Sequence, residues 1–133
     1  MASDITGTSI YRAGGGAGAH GYATSNGYPY STGGVGGGGD AQQGTGNPGA
    51  TNTGSGGAGA GWYNASHAGG DGGSGVIILR TTAGVVARFT AGVTVNGTAV
   101  TVDDTAVSGT TVGSDLLWII TAASSDTVTF ATS

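Results

Sequence analysis

The hydrophobic positions of this chain gather in its C-terminal part, in short runs of Val, Ile, Leu and Thr separated by turn residues. Val76-Ile77-Ile78-Leu79-Arg80 is a continuous aliphatic run bounded by Gly75 and by threonines. It is too short for a stable helix and predicts a central strand, buried on both faces, that ties the glycine-rich stretch before it to the Val/Thr-rich stretch after it. Beyond Gly84, Val and Thr dominate, and Val85 to Phe89 reads as a further strand. The clearest local signal is Val93 to Val102, interrupted by Asn96-Gly97, a pair that favours a two-residue turn with positive φ at both positions. Pairing Val95 with Thr98 places Val93, Val95, Val100 and Val102 on one face. Thr110 to Val112 is a further short strand, and Leu116-Leu117-Trp118-Ile119-Ile120, the most apolar run, predicts the core strand. Thr127 to Phe130 closes the pattern with Val128 and Phe130 facing inward.

Before Val76 the pattern is different in kind. From Gly14 to Gly75, 25 of 62 residues are glycine, against roughly one in fourteen in ordinary proteins. Such a stretch is either a floppy tether or a special packing of backbone on backbone. We expect the second: extended segments of the polyproline-II type have no internal hydrogen bonds, and without side chains they approach closely enough to bond to one another. The glycine clusters show no fixed tandem period, which excludes a collagen triple helix. Preceding them, Ile5 to Arg12 reads as a short strand or extended arm, with Ile5, Ile10, Tyr11 and Arg12 as candidate docking residues. The expected organisation is an N-terminal strand or docking arm at 1–13, a glycine-rich lobe at 14–84 ending in the strand at 76–80, and a Val/Thr-rich β-lobe at 85–133. The fold class is all-β with essentially no α-helix: an irregular glycine-rich lobe of polyglycine-II-like segments on a small antiparallel β-sandwich or half-barrel.

Composition narrows the chemistry. The chain has three Lys+Arg, all of them Arg, seven acidic residues, all of them Asp, no Cys and a formal net charge of −4. Without a basic cluster no nucleic acid is expected as a partner, and no stretch approaches a membrane span. Met1 to Gly7 has neither a basic residue nor an apolar run, so no secretory signal is expected. A phosphate-binding loop needs a lysine that the sequence lacks. Asp40 and Asp71, although flanked by glycine, lack the tandem repeat of calcium-binding β-rolls and read as turn carboxylates. No paired carboxylates and no nucleophile elbow are present, so the expectation is a protein that is not an enzyme, with no cofactor and no metal.

Recognition chemistry is better represented. His20, Tyr22, Tyr28, Tyr30, Trp62, Tyr63 and His67 all sit in the glycine-rich region. Rings with a polar edge can lie on the apolar face of a sugar while neighbouring amides bond its hydroxyls, so these seven are candidate receptor or glycan contacts; the competing assignment is that they fill gaps where the lattice ends. The tract Gln42 to Asn52 reads as an exposed loop.

Gly69-Gly70-Asp71-Gly72-Gly73-Ser74-Gly75-Val76-Ile77-Ile78-Leu79-Arg80 resembles the glycine-rich domains of tailed-bacteriophage virion proteins, where such a glycine run leads into a Val/Ile-rich strand ending in Arg. Thr81 stands where the family often has an aromatic. The resemblance covers about residues 12 to 84 and brings no catalytic residues. It implies a virion structural protein on the particle surface, made in the host cytoplasm, as a capsid decoration protein or as a fibre or adhesin tip. Its implied partners are the major capsid protein or a fibre shaft, further copies of itself as a homotrimer, and a host-surface glycan. An extracellular filament subunit or an ice-binding protein is the alternative from another class.

Overall fold

All regular structure is β, with no helix, among residues 2–20, 30–61 and 65–132, which the computed structural model describes. The strands in chain order are β1 (Ala2–Ser3), β2 (Ile10–Tyr11), β3 (Ile77–Thr82), β4 (Val85–Phe89), β5 (Thr94–Val95), β6 (Thr98–Ala99), β7 (Thr105–Val107), β8 (Thr110–Val112), β9 (Asp115–Ala122) and β10 (Val128–Thr132). Every strand pairing is antiparallel. The chain divides into two units, Met1–Ser3 with Ile10–Gly75 and Asp4–Ser9 with Val76–Ser133.

The second unit is a small sandwich built around β9. One edge of β9 pairs along β3 from Ile77↔Ile120 to Thr82↔Asp115. Its other edge is shared, Leu117 to Asp115 pairing with β8 and Ile120 to Ala122 with β5. The alternation of a strand then places Leu116, Trp118 and Ile120 on one face, where they meet the inner face of the second sheet, ordered β10-β4-β7. Trp118 is fully buried, and its indole Nε1–H donates to the Val107 carbonyl at 2.8 Å, so the single polar group of the ring is satisfied. Gly109 is explained by the same ring: a Cβ there would lie 3.0 Å from Trp118. On the opposite face Leu117 is also buried. Loop 4–9 lies over that face: Arg80, the strand partner of Leu117, donates to the Ile5 carbonyl at 3.2 Å, and Gly7 sits against Val112.

The Asn96-Gly97 turn forms as its residues dictate, with φ of 48° and 78°. Val93, Val95 and Val100 are buried, with Val95 opposite Thr98. Asn96 does more than turn the chain. Its Oδ1 accepts the Ile119 N–H at 2.9 Å and its Nδ2 donates to the Ser108 carbonyl at 3.3 Å, so one side chain joins the hairpin to β9 and to the β7–β8 turn.

Several expectations are corrected. Strand 76–80 is neither central nor buried on both faces: β3 is a sheet edge, Ile77 is 53% exposed, and the strand belongs with the second unit rather than with the glycine-rich stretch. An aliphatic run does not distinguish an edge from a centre, because both need one apolar face. Val102 is 65% exposed, since pairing ends before it and the chain turns away where Asp103 caps the Ala91 N–H. Phe130 lies on the core face, its ring edge-on to Trp118 at 6.1 Å, yet it is 47% exposed because β10 has no neighbouring strand on one side among the described residues. Ile5 to Arg12 is not one extended arm: β1 and β2 pair as a hairpin, with Ser3 opposite Ile10 and Ala2 opposite Tyr11, and Gly7 at φ +89° in the connecting loop.

In the first unit, successive passes of chain bond to one another through main-chain groups. Gly56 N–H donates to Gly14 O and Gly59 N–H to Ala17 O. Gly46 donates to Ala68 O and Gly49 to Asp71 O, while Gly70 donates to Ala58 O and Gly73 to Ser55 O, all at 2.8–3.1 Å. Each pair of passes therefore repeats its bond after three residues, whether the passes run parallel or antiparallel. A β-strand would repeat at two; a step of three is that of the extended three-residue-per-turn helix. Burial keeps the same step: Gly14 and Ala17, Gly46 and Gly49, and Ser55, Ala58 and Gly61 are the buried positions of their passes. Gly46 and Gly49 thus correct the view of residues 42–52 as an exposed loop. Ser55 is the buried polar side chain among the described residues of the lobe, its hydroxyl accepting the Gly14 N–H at 3.2 Å and donating to the Gly36 carbonyl at 2.6 Å.

Close approach explains the glycines on these ridges. A Cβ at Gly70 would collide with the Asn47 carbonyl oxygen and one at Gly73 with that of Ala50, whereas a Cβ at Gly15 would meet nothing within 4 Å. Gly70→Ala is therefore expected to destabilise the lobe by upwards of about 2 kcal/mol, while Gly15→Ala is neutral or stabilising by about 0.4–1 kcal/mol; amide exchange of residues 46–59 distinguishes the two. In the second unit Asn96→Ala should cost about 2 kcal/mol, and Asn96→Asp, which keeps the acceptor and loses the donor, should fall between Ala and wild type in denaturant unfolding.

Candidate functional site

The three-residue lattice has two ends. At one, the turns 35–37 and 51–54 come together: Ala50 N–H donates to Gly37 O, Ala13 to Thr53 O and Thr53 to Ser74 O, at 2.8–2.9 Å. The chain enters and leaves the lobe here, at Arg12 and Gly75. At the other end Gly61 bridges both Gln43 and Gly44, and Ala41 N–H donates to Ser31 O at 2.9 Å. Of the candidate rings, this second end carries His20, Tyr30 and His67.

His20 is exposed one residue beyond Ala19, which runs beside Gly59. His67 is exposed, and its imidazole lies over Gly44: a Cβ there would be 3.6 Å from Cε1. Gly44 has φ +90°, a conformation that lets the chain turn beneath the ring without a side chain in the way. Tyr30 is half-buried and packs against the alanine cluster of Ala17, Ala41 and Ala58. Of these three residues, then, two imidazoles face solvent and the phenol is partly a packing group. Tyr22, Tyr28, Trp62 and Tyr63 lie outside the described residues.

Residue-type reasoning passed over two neighbours of these rings as contact groups. Gln42 and Gln43 are exposed at the same end, the Gln42 Nε2 donating to the Thr45 carbonyl at 2.7 Å, which fixes that side chain along its own turn. Their signal in the sequence is position: they precede Gly44, where the lattice phase begins again. Together the end offers imidazole faces and amide donors and acceptors on a backbone held by its own bonds. Such groups can bond hydroxyls and stack on flat apolar surfaces.

The candidate docking residues are divided. Ile10, 38% exposed, and Tyr11, 54% exposed, lie on β2 of the first unit, where the Arg12 main chain passes against Gly36. Ile5 is half-buried in the second unit, its carbonyl held by Arg80. The carboxylates are used locally: Asp40 accepts the Gly33 N–H at 2.7 Å, Asp115 pairs with Arg80 at 2.9 Å and Asp126 accepts the Ser124 N–H at 2.6 Å. Among the described residues no group of three or more His or Asp side chains is placed to hold a metal ion. Comparison with protein-family models, with curated proteins and with solved structures finds no match to this chain.

Proposed function

We propose that this chain is a non-enzymatic structural protein of a bacteriophage particle, displayed on the particle exterior as a capsid decoration protein or as a fibre or adhesin tip. The observation that carries the proposal is the glycine lattice itself. Main-chain bonds at three-residue steps hold its passes together, leaving the His20, Gln43 and His67 side chains exposed at one end. A backbone fixed in this way tolerates changes in the side chains it presents, as a recognition surface requires. The likeness of Gly69 to Arg80 to virion glycine-rich domains points the same way, and the partners it implies are other virion proteins and a host-surface glycan.

Two measurements test this. Counting copies per particle by mass spectrometry of whole virions is expected to give hundreds for decoration and few for a tip. In the second case the purified chain is expected to bind host cells, and the double variant His20→Ala, His67→Ala to weaken that binding at least about tenfold, or about 1.4 kcal/mol. A chain absent from purified particles overturns the proposal; a high copy number with no cell binding removes the adhesin form.

A further inference from the structure

Among the described residues, strand β10 leaves one side of the smaller sheet open. Its register with β4 is continuous from Val128↔Phe89 to Thr132↔Val85, without a bulge. One step before it, the Thr90 N–H donates to the Thr127 carbonyl at 3.3 Å, so that residue pair is one whose polar groups face each other. Such pairs alternate along antiparallel strands. Thr129 and Ala131 therefore turn their main-chain groups toward β4, and Val128, Phe130 and Thr132 turn theirs to the open side.

Edge strands in proteins that stay apart are blunted by charge, proline, bulges or extreme shortness. Val128-Thr129-Phe130-Ala131-Thr132 has none of these. Beside the edge lies exposed apolar surface: Phe130 is 47% and Ile77 53% exposed, and an apolar cavity of about 100 Å³ opens there, lined by Ile77, Leu79, Phe89, Ile120 and Val128 among others. On the other side of the sandwich the two sheets are joined through the short β7–β8 turn and the Trp118 bond to Val107.

We infer that β10 is an interface between two copies of this chain, pairing antiparallel with its own counterpart across a two-fold axis centred on Phe130. This inference is independent of the virion assignment. In this register the outward N–H and C=O of Phe130 meet those of the same residue in the second copy, and each Val128 meets the other's Thr132. On the core face the two Phe130 rings come together over the apolar surface, an aromatic cross-strand pair. On the outer face Thr129 meets Ala131. No charge faces a like charge, since every ionisable side chain lies outside the strand. An edge so neutral offers nothing for a charged partner strand to read, and a second copy satisfies it fully.

Sedimentation of the intact chain from micromolar to millimolar concentration, with amide exchange at Phe130, tests this. The expected result is a dimer whose Phe130 amide becomes protected as concentration rises. The double variant Thr129→Glu, Ala131→Glu sets like charges opposite one another on the exposed outer face and should weaken the dimer at least about tenfold. Thr132→Pro removes an outward N–H without touching a bond to β4 and should weaken it as well. Thermal unfolding of each variant, in dilute monomeric solution, checks that the sandwich is intact. A chain monomeric at millimolar concentration overturns the inference. So does an assembly of any order in which the Phe130 amide exchanges as fast as in dilute solution, or one unaffected by both variants in their folded form.

Discussion

The first unit depends on the hydrogen bond between main chains that carry almost no side chains. Each such bond is worth a net ~0.5–1.5 kcal/mol, and each glycine gives back roughly 0.5–1 kcal/mol relative to alanine in conformational freedom. The margin per residue is therefore small, and stability comes from repetition. Residues 53–61 show how: they bond to passes at 13–17, 39, 44–47 and 70–74, so one stretch of backbone is shared by several neighbours. Among the described residues the buried apolar groups of this lobe are the alanines Ala17, Ala41 and Ala58, each of which buries little apolar surface. Ser55 supplies what the lattice cannot, a hydroxyl where the Gly14 N–H and the Gly36 carbonyl find no main-chain partner in register.

The second unit solves the same problem in the opposite way. There the backbone bonds are those of ordinary antiparallel sheets, and large side chains fill the space between them: Trp118, Phe89 and Val95 are almost fully buried. Polar groups enter that core only where they are answered, the Trp118 Nε1–H by Val107 and the Asn96 amide by Ile119 and Ser108. Among the described residues one chain thus holds two kinds of interior, one of large side chains and one of glycine and alanine.

Much of this was legible in the residues. Asn96-Gly97 specifies its turn and register locally, and Leu116 to Ile120 could hardly be anything but a central strand. The all-β class was implied by the short Val-, Ile- and Thr-rich runs separated by turn residues. Anything set by distant neighbours was not legible. Ile77 and Phe130 are as apolar as Ile120, and only the order of strands in the sheets makes them border residues. The lattice step was written in the sequence but hidden: Gly46-x-x-Gly49, Gly56-x-x-Gly59 and Gly70-x-x-Gly73 each keep a period of three, yet the phase restarts at every turn, so no period survives along the whole stretch. Of the ring-bearing residues, composition could say that they cluster, whereas the half-burial of Tyr30 against three alanines depends on which passes lie side by side.

The restarting phase carries a consequence for how such a lobe changes length. A rise of about 3.1 Å per residue and three residues per turn make the triplet the natural unit of growth, close to 9 Å for each one added. Matched triplets placed in neighbouring passes would extend the bundle and keep glycines such as Gly70 and Gly73 turned toward a neighbouring carbonyl. A single inserted residue would rotate the rest of its pass by a third of a turn, pointing side chains at backbone. Relatives of this chain should therefore differ in lobe length by whole triplets within the passes and by any number of residues in the connections between them.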